Sequence, residues 1–173
     1  MSSDLFPGFA AETRAPAGVP LFLRRGGRGP ALLLLHGHPQ THAMWHRVAP
    51  ALAARFMLVI PDLRGYGRSA RVASADGGSE PAAYARRVQA AELHALMQSL
   101  GHARYGVLAH DRGARTAHRL ALDQPQAVQR LMLLDIAPTL AMYGHASDAF
   151  ARAYWHWFFL IQPPPLPERL IEA

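Results

Sequence analysis

The chain has 173 residues, half of them apolar, and a formal net charge of +6. This length fits one domain with a sizeable core, and the mean hydropathy near zero is typical of a globular protein rather than a disordered one. Cysteine and lysine are both absent, which excludes disulfides, thiolate zinc sites, a thiol nucleophile, Schiff-base chemistry and a Walker-type phosphate loop.

The first two strand candidates lie at residues 9–18 and 19–25, and the turn between them predicts a hairpin at the edge of a sheet. Short apolar runs that end in a polar residue follow further along the chain. They occupy residues 31–36, 56–62, 105–111 and 130–135. Runs without alternation are typical of strands buried on both faces of a parallel sheet.

Helices are predicted between these strands. Residues 84–100 form an amphipathic pattern that ends at Gly101, and residues 112–122 form a second one. Residues 72–82 are predicted to be a loop. Because strands and helices alternate, the fold class is α/β.

The composition changes after residue 138, where aromatic residues and a proline cluster replace the alternating pattern. We therefore predict two regions. Residues 1–138 form the α/β part, and residues 139–173 begin a second region of different composition.

The ends of the predicted parallel strands carry the candidate functional residues, because ligands bind at the carboxyl ends of such strands. Asp111 is the most informative, since it follows a strand, opens a helix and has the small residues Ala109 and Gly113 two positions away on each side. A nucleophile elbow needs small residues at those positions. No G-x-S-x-G sequence occurs, so a serine hydrolase is not expected.

The chain resembles the α/β-hydrolases, and specifically the haloacetate (fluoroacetate) dehalogenases. The motifs that carry the resemblance are H-G-H-P-Q-T-H at 36–42, D-L-R-G-Y-G-R-S at 62–69, H-D-R-G-A-R at 110–115, L-D-I-A-P-T at 134–139, and H-W with Q-P-P-P-L-P-E at 156–157 and 162–168. It implies an α/β-hydrolase fold, a mostly parallel sheet with flanking helices, and the start of a helical cap after residue 138.

The resemblance also implies a role for each matching residue. Asp111 would be the nucleophile, and Asp135 would be the acid of the catalytic triad. Arg112 and Arg115 would bind the carboxylate of a small haloacid, because guanidinium groups present planar forks of donors. The backbone N–H groups of His38 and Arg112 would form the oxyanion hole.

The halide-binding pair implied by the resemblance is His156 and Trp157, which would donate N–H groups to the leaving halide. Two residues depart from the family pattern, Ala109 in place of the usual elbow glycine and His38 in place of an apolar aromatic residue. The triad histidine of the family follows a later strand, so we expect this chain to be an N-terminal fragment, C-terminally incomplete and without that base.

Each assignment has a structural alternative. Asp111 could be a helix N-cap, and Arg112 with Arg115 could form a solvated helix face. His156 and Trp157 could simply pack in an aromatic cluster.

A second set of assignments concerns the histidines. His38, His42 and His46 recur every four residues, but a loop at Pro39 argues against a metal site, and His36 and His110 are expected to be hydrogen-bonding residues of the scaffold.

The functions that stay open are a haloacetate dehalogenase, an epoxide hydrolase with the same type of nucleophile, and a non-catalytic remnant. Arg112 and Arg115 favour the first, because an epoxide carries no carboxylate. We expect a small-molecule substrate, no cofactor and no metal. The arginines are scattered, so no nucleic-acid partner is expected, and no apolar stretch suggests a membrane partner. A cytoplasmic location and a homodimer are further expectations.

Overall fold

The computed structural model describes residues 4–71 and 81–173. Its centre is a six-stranded sheet with the spatial order β1-β2-β4-β3-β5-β6. The strands are β1 (Ala10–Arg14), β2 (Leu21–Gly27), β3 (Ala31–Leu35), β4 (Met57–Pro61), β5 (Tyr105–His110) and β6 (Val128–Leu134). The α/β class predicted from the sequence is confirmed.

Strand direction follows the prediction from the apolar runs. β4, β3, β5 and β6 run parallel to one another, whereas β2 is antiparallel both to β4 and to β1, which lies at the edge of the sheet. The expectation that all four parallel strands are buried on both faces is wrong for β6. Leu131 and Met132 of that strand are 37% and 60% exposed, and because consecutive strand residues point to opposite faces, β6 is partly uncovered on both faces at the end of the sheet.

The helices of this part are α1 (Ala49–Ala53), α2 (Arg86–Ser99) and α3 (Asp111–Asp123), with short 3₁₀ helices at His42–Trp45 and Pro81–Tyr84. The predicted helix at 84–100 is therefore shorter at its start. The predicted loop at 72–82 lies mainly outside the described residues, and its last two positions belong to the second 3₁₀ helix.

The core lies on both faces of the sheet, as the period of two along β3 requires. Leu33 and Leu35 pack in the cluster that contains α2 and α3, whereas the intervening Leu34 packs with Trp45 and Ala49 on the other face. Burial of the central strands holds their carboxyl ends in fixed positions. The residues that follow β3 and β5 are thereby placed side by side.

The chain divides into two compact units, one that extends to Ile136 and one formed by Ala137–Ala173. The second unit consists of α4 (Thr139–Gly144), α5 (Asp148–Ala153), α6 (Trp155–Leu160) and α7 (Leu166–Glu172). Aromatic contacts hold it together, among them the stacked rings of Phe150 and Tyr154. No helix in the described ranges is long and apolar enough to span a bilayer.

Candidate active site

Asp111 occupies a sharp turn between β5 and α3. Its φ angle is +47°, in the left-handed region that non-glycine residues rarely adopt. Such strain persists only where the surrounding structure enforces it, and it is common at functional sites. The His38 backbone N–H donates a hydrogen bond of 2.9 Å to Asp111 Oδ1, so one predicted donor of the oxyanion hole already contacts the carboxylate.

Two glycines allow this turn to form. A Cβ atom on Gly37 would lie 2.6 Å from the Asp111 Cβ and 2.8 Å from its Oδ1. A Cβ atom on Gly113 would lie 2.3 Å from the His36 carbonyl oxygen, so α3 also needs a glycine to approach β3. The close approach brings the loop after β3 and the start of α3 into one site.

Arg112 and Arg115 lie in the first turn of α3, next to Asp111, and both are half-buried. Residues three apart on a helix are neighbours on its surface. The N-terminus of α3 adds a partial positive charge in the same place. The first turn of α3 therefore combines one carboxylate with two guanidinium groups.

A third arginine near this turn was missed from the sequence. Arg86 is the first residue of α2, and it interacts electrostatically with Asp111, Arg112 and Arg115. Its only signal in the sequence is a basic residue at the start of an amphipathic helix. Nothing in one sequence reveals that this helix packs against α3.

Side-chain hydrogen bonds connect α2 to the first turn of α3. Gln89 Oε1 accepts from the Arg86 guanidinium at 2.9 Å and from the Thr116 hydroxyl at 3.1 Å. The same hydroxyl lies 3.2 Å from the Arg112 carbonyl oxygen, one helical turn earlier. The position of Arg86 is thus tied to that of the arginines on α3.

Asp135 follows β6 as Asp111 follows β5. The preceding residues His110 and Leu134 are register partners, so the two aspartates leave neighbouring strands at the same level. Asp135 also has a left-handed φ angle, +51°, and its side chain is exposed. The structure thus places the predicted triad acid directly after the strand that neighbours the one before the predicted nucleophile.

Buried polar groups support the loop that carries His38. His36 donates from Nδ1 to the Gly37 carbonyl oxygen at 2.7 Å, and its Nε2 accepts from the Leu63 backbone N–H at 2.9 Å. Burial lowers the pKa of His36, which outweighs the opposing effects of the Gly37 hydrogen bond and of Asp62. A neutral His36 acts as part of the scaffold, as expected.

Asp62 forms the second support, and the sequence did not assign it a role. It is fully buried and accepts hydrogen bonds from the His42 ring at 2.8 Å and from the His42 and Arg68 backbone N–H groups. Burial alone would raise the pKa of Asp62, but these hydrogen bonds lower it below its usual value. An ionised Asp62 therefore anchors the segment after β3 to the end of β4.

The other histidines do not form a metal site. His42 binds Asp62, and His46 contacts the Ala43 carbonyl oxygen, so the three evenly spaced histidines do not converge. Across residues 4–71 and 81–173, no group of three metal-ligating side chains is present. His110 differs from the expectation of a hydrogen-bonding residue, because its buried Nδ1 has no partner in the described part of the chain.

The model of a protein family described as the alpha/beta hydrolase fold matches residues 30–164. The chain belongs to the alpha/beta hydrolase fold family. The chain is 47% identical to a fluoroacetate dehalogenase of Burkholderia sp, over 98% of this chain and 55% of the relative. It is 37% identical to a soluble epoxide hydrolase of Corynebacterium sp. strain C12, over 68% of this chain and 38% of the relative.

Solved structures agree with the fold. An alpha/beta hydrolase structure from Nostoc sp PCC 7120 is 51% identical to this chain and superimposes with a TM-score of 0.86. The match covers 94% of this chain and 55% of that structure. The chain thus spans about half the length of these relatives or less, and their activities come to it only as proposals.

The predicted halide-binding residues of the chain lie in the second unit. His156 and Trp157 are neighbours on α6, and their rings contact each other and Tyr154. His156 is exposed and Trp157 is half-buried. Asp111, Arg112, Arg115, His38 and Asp135 all belong to the first unit. The halide-binding role of His156 and Trp157 stays a prediction.

Proposed function

We propose that this hydrolase displaces halide from a 2-haloacetate through a covalent ester on Asp111. The observation that carries the proposal is the strained Asp111 turn, in which the carboxylate contacts the His38 N–H beside Arg112 and Arg115. An Asp nucleophile next to two guanidinium groups suits a small substrate that carries its own carboxylate. The similarity to a fluoroacetate dehalogenase supports the same substrate class.

The first half-reaction uses the residues at the start of α3. Arg112 and Arg115 hold the substrate carboxylate and bring its C2 carbon within reach of Asp111. An Asp111 carboxylate oxygen forms a bond to C2, and the carbon–halogen bond breaks with its electron pair leaving on the halide. In the proposal, His156 and Trp157 donate hydrogen bonds to that halide.

The second half-reaction hydrolyses the ester. Water adds to the Asp111 carbonyl carbon, the backbone N–H groups of His38 and Arg112 stabilise the resulting oxyanion, and glycolate leaves. This step needs a general base oriented by an acid, and Asp135 is proposed as that acid. A general base contributes a factor of about 10² to 10⁴. The proposal assigns no base within the 173 residues, so we expect the ester to persist on this chain.

Bromoacetate tests the nucleophile directly. The 173-residue chain is incubated with bromoacetate and analysed by intact mass and peptide mapping, with Asp111→Asn as the matched variant. We expect one carboxymethyl ester on Asp111 and none on the variant. Labelling confined to histidine or methionine would contradict the assignment, and sustained halide release over many turnovers would contradict the expected persistence of the ester.

Epoxide hydrolysis is the second candidate, because the chain is also similar to an epoxide hydrolase. An epoxide needs no guanidinium partner, so neutralising Arg112 and Arg115 separates the two reactions. If Arg112→Gln with Arg115→Gln slows labelling by bromoacetate but leaves labelling by a neutral epoxide unchanged, both substrates share Asp111 and the arginines select the haloacid. A chain that no electrophile labels at Asp111 would instead fit a non-catalytic remnant.

The proposal also includes a cellular location and an oligomeric state. A cytoplasmic location is supported by the absence of cysteine, since disulfide-stabilised proteins occupy oxidising compartments. Assembly as a homodimer stays a prediction, which sedimentation of the purified chain tests.

A further inference from the structure

Arg86 lies beside the proposed substrate site, at the start of α2. The described residues include ion pairs for several other arginines, but no Asp or Glu of residues 4–71 and 81–173 pairs with Arg86. Its hydrogen-bond acceptor is the neutral amide of Gln89. The described residues therefore hold the positive charge of Arg86 in place without an ion pair.

Like charges surround this guanidinium. Burial lowers the pKa of Arg86 first, and the nearby charges of Arg112 and Arg115 lower it further, against the opposite effects of Tyr66 and Asp111. Three positive charges that crowd one another cost free energy in the empty site. Binding of an anion among them would offset that cost.

The charge balance indicates how much negative charge the site can take. Arg86, Arg112 and Arg115 contribute three positive charges, and Asp111 contributes one negative charge. A substrate with one carboxylate leaves an excess of one positive charge, whereas a substrate with two carboxylates neutralises the cluster. The Gln89–Thr116 bridge keeps Arg86 beside α3, so the third charge acts on the same site.

We propose that Arg86 is a third carboxylate-binding arginine of this site, and that the cluster suits the site to a 2-halo-dicarboxylate in addition to a haloacetate. The proposal rests on the proposed function of Asp111 as nucleophile. The reaction is the same: an Asp111 oxygen bonds to C2, the carbon–halogen bond breaks, and the halide leaves with the electron pair. Arg112 and Arg115 hold the carboxylate next to C2, and Arg86 holds the second one.

Labelling rates with two brominated acids test the proposal on the 173-residue chain. The rate of ester formation on Asp111 is measured by mass with 2-bromosuccinate and with bromoacetate, and the ratio of the two rates is compared between variants. Arg86→Gln removes the charge, and Arg86→Lys keeps it. Arg87→Gln is the matched control, because Arg87 is the next residue of α2 and is exposed.

We expect the bromosuccinate-to-bromoacetate ratio to fall about 5-fold in Arg86→Gln and to stay near the original value in Arg86→Lys and Arg87→Gln. Added salt should reduce the difference, because the effect is electrostatic. Labelling by the neutral probe bromoacetamide should be equal in all variants, which confirms that Asp111 is intact.

An unchanged ratio in Arg86→Gln, with normal labelling by bromoacetate, would overturn the role of Arg86 and leave the proposed function standing. An equal fall in Arg87→Gln would also overturn it, since net charge alone would then explain the effect. A chain whose Asp111 reacts with none of the probes would overturn the proposed function, and this inference with it.

Discussion

At Gly37 the loop after β3 passes so close to Asp111 that no side chain fits between them. The hydrogen of a glycine leaves room for the Asp111 carboxylate to reach the His38 N–H, and a methyl group would occupy that space. The geometry of the proposed nucleophile thus depends on Gly37, a residue without a side chain.

Gly37→Ala should slow labelling of Asp111 by bromoacetate by about 100-fold, because a misplacement of about 1 Å at a reacting group has an effect of this order. Gly144→Ala is the matched control, since a Cβ atom at Gly144 meets nothing within 4 Å. Circular dichroism checks that both variants remain folded. Equal labelling rates in the two folded variants would show that Asp111 does not need this close approach.

The site can be predicted from the sequence only where local spacing carries the information. Asp111 and its small neighbours Ala109 and Gly113 are close together in the chain, so their order alone is enough to predict the elbow. Asp62 and Arg86 act on residues that are distant in the sequence, through buried hydrogen bonds and helix packing. Contacts between residues that are distant in the chain cannot be predicted from a single sequence.

Among the elements, the connection between β4 and α2 depends on a buried ion pair. Arg64 follows β4, Glu92 lies in the middle of α2, and their side chains are 6% and 5% exposed. Two hydrogen bonds join the guanidinium to the carboxylate. The pair holds α2, and with it Arg86, against the end of the sheet.

Glu92→Gln should destabilise the first unit by about 3–5 kcal/mol, because it leaves the Arg64 charge buried without a partner. Urea unfolding at pH 7 measures the loss. The double variant Arg64→Met with Glu92→Leu should recover most of it, since apolar side chains replace both charges. Asp123→Asn, which breaks an ion pair at a more exposed position of α3, should have little effect. A similar loss in both single variants would contradict the special role of the buried pair.

The strands were predicted more accurately than their surroundings. Apolar runs locate β3, β4 and β5 to within a residue or two, because a central strand needs continuous apolar side chains. The same type of run in β6 suggested burial on both faces. Burial of an edge strand depends on which other elements pack against its two faces, and the composition of the strand does not reveal those elements.

At the scale of the whole molecule, β6 leaves an unpaired sheet edge with apolar residues on it. Beside Met132 the sheet forms a depression of about 1170 Å³, lined by residues of β3, β5 and β6 that include Leu32, Leu108 and Met132. Unpaired edges and exposed apolar faces promote association between chains.

The chain should therefore self-associate, with an average mass that rises with concentration in analytical ultracentrifugation. Met132→Lys should reduce this association, because it places a charge on the exposed face of the edge strand. Leu140→Lys is the matched control, since Leu140 is 87% exposed but lies outside the sheet. A mass that stays that of a monomer at all concentrations would contradict the prediction, and a constant dimer mass would instead support a defined homodimer.

The pairing of β3 with β5 gives Asp111 a use beyond the reaction itself. Its contact with the His38 N–H exists only when these two strands are side by side, and its left-handed turn exists only when α3 has packed on the sheet. Under the proposed function, the rate at which bromoacetate alkylates Asp111 should therefore follow the pairing of these strands during folding. In this experiment, bromoacetate is added for a short time at successive stages of refolding or in a crude cell extract. The fraction of chains that carry the ester on Asp111 would then measure the fraction in which β3 and β5 are paired.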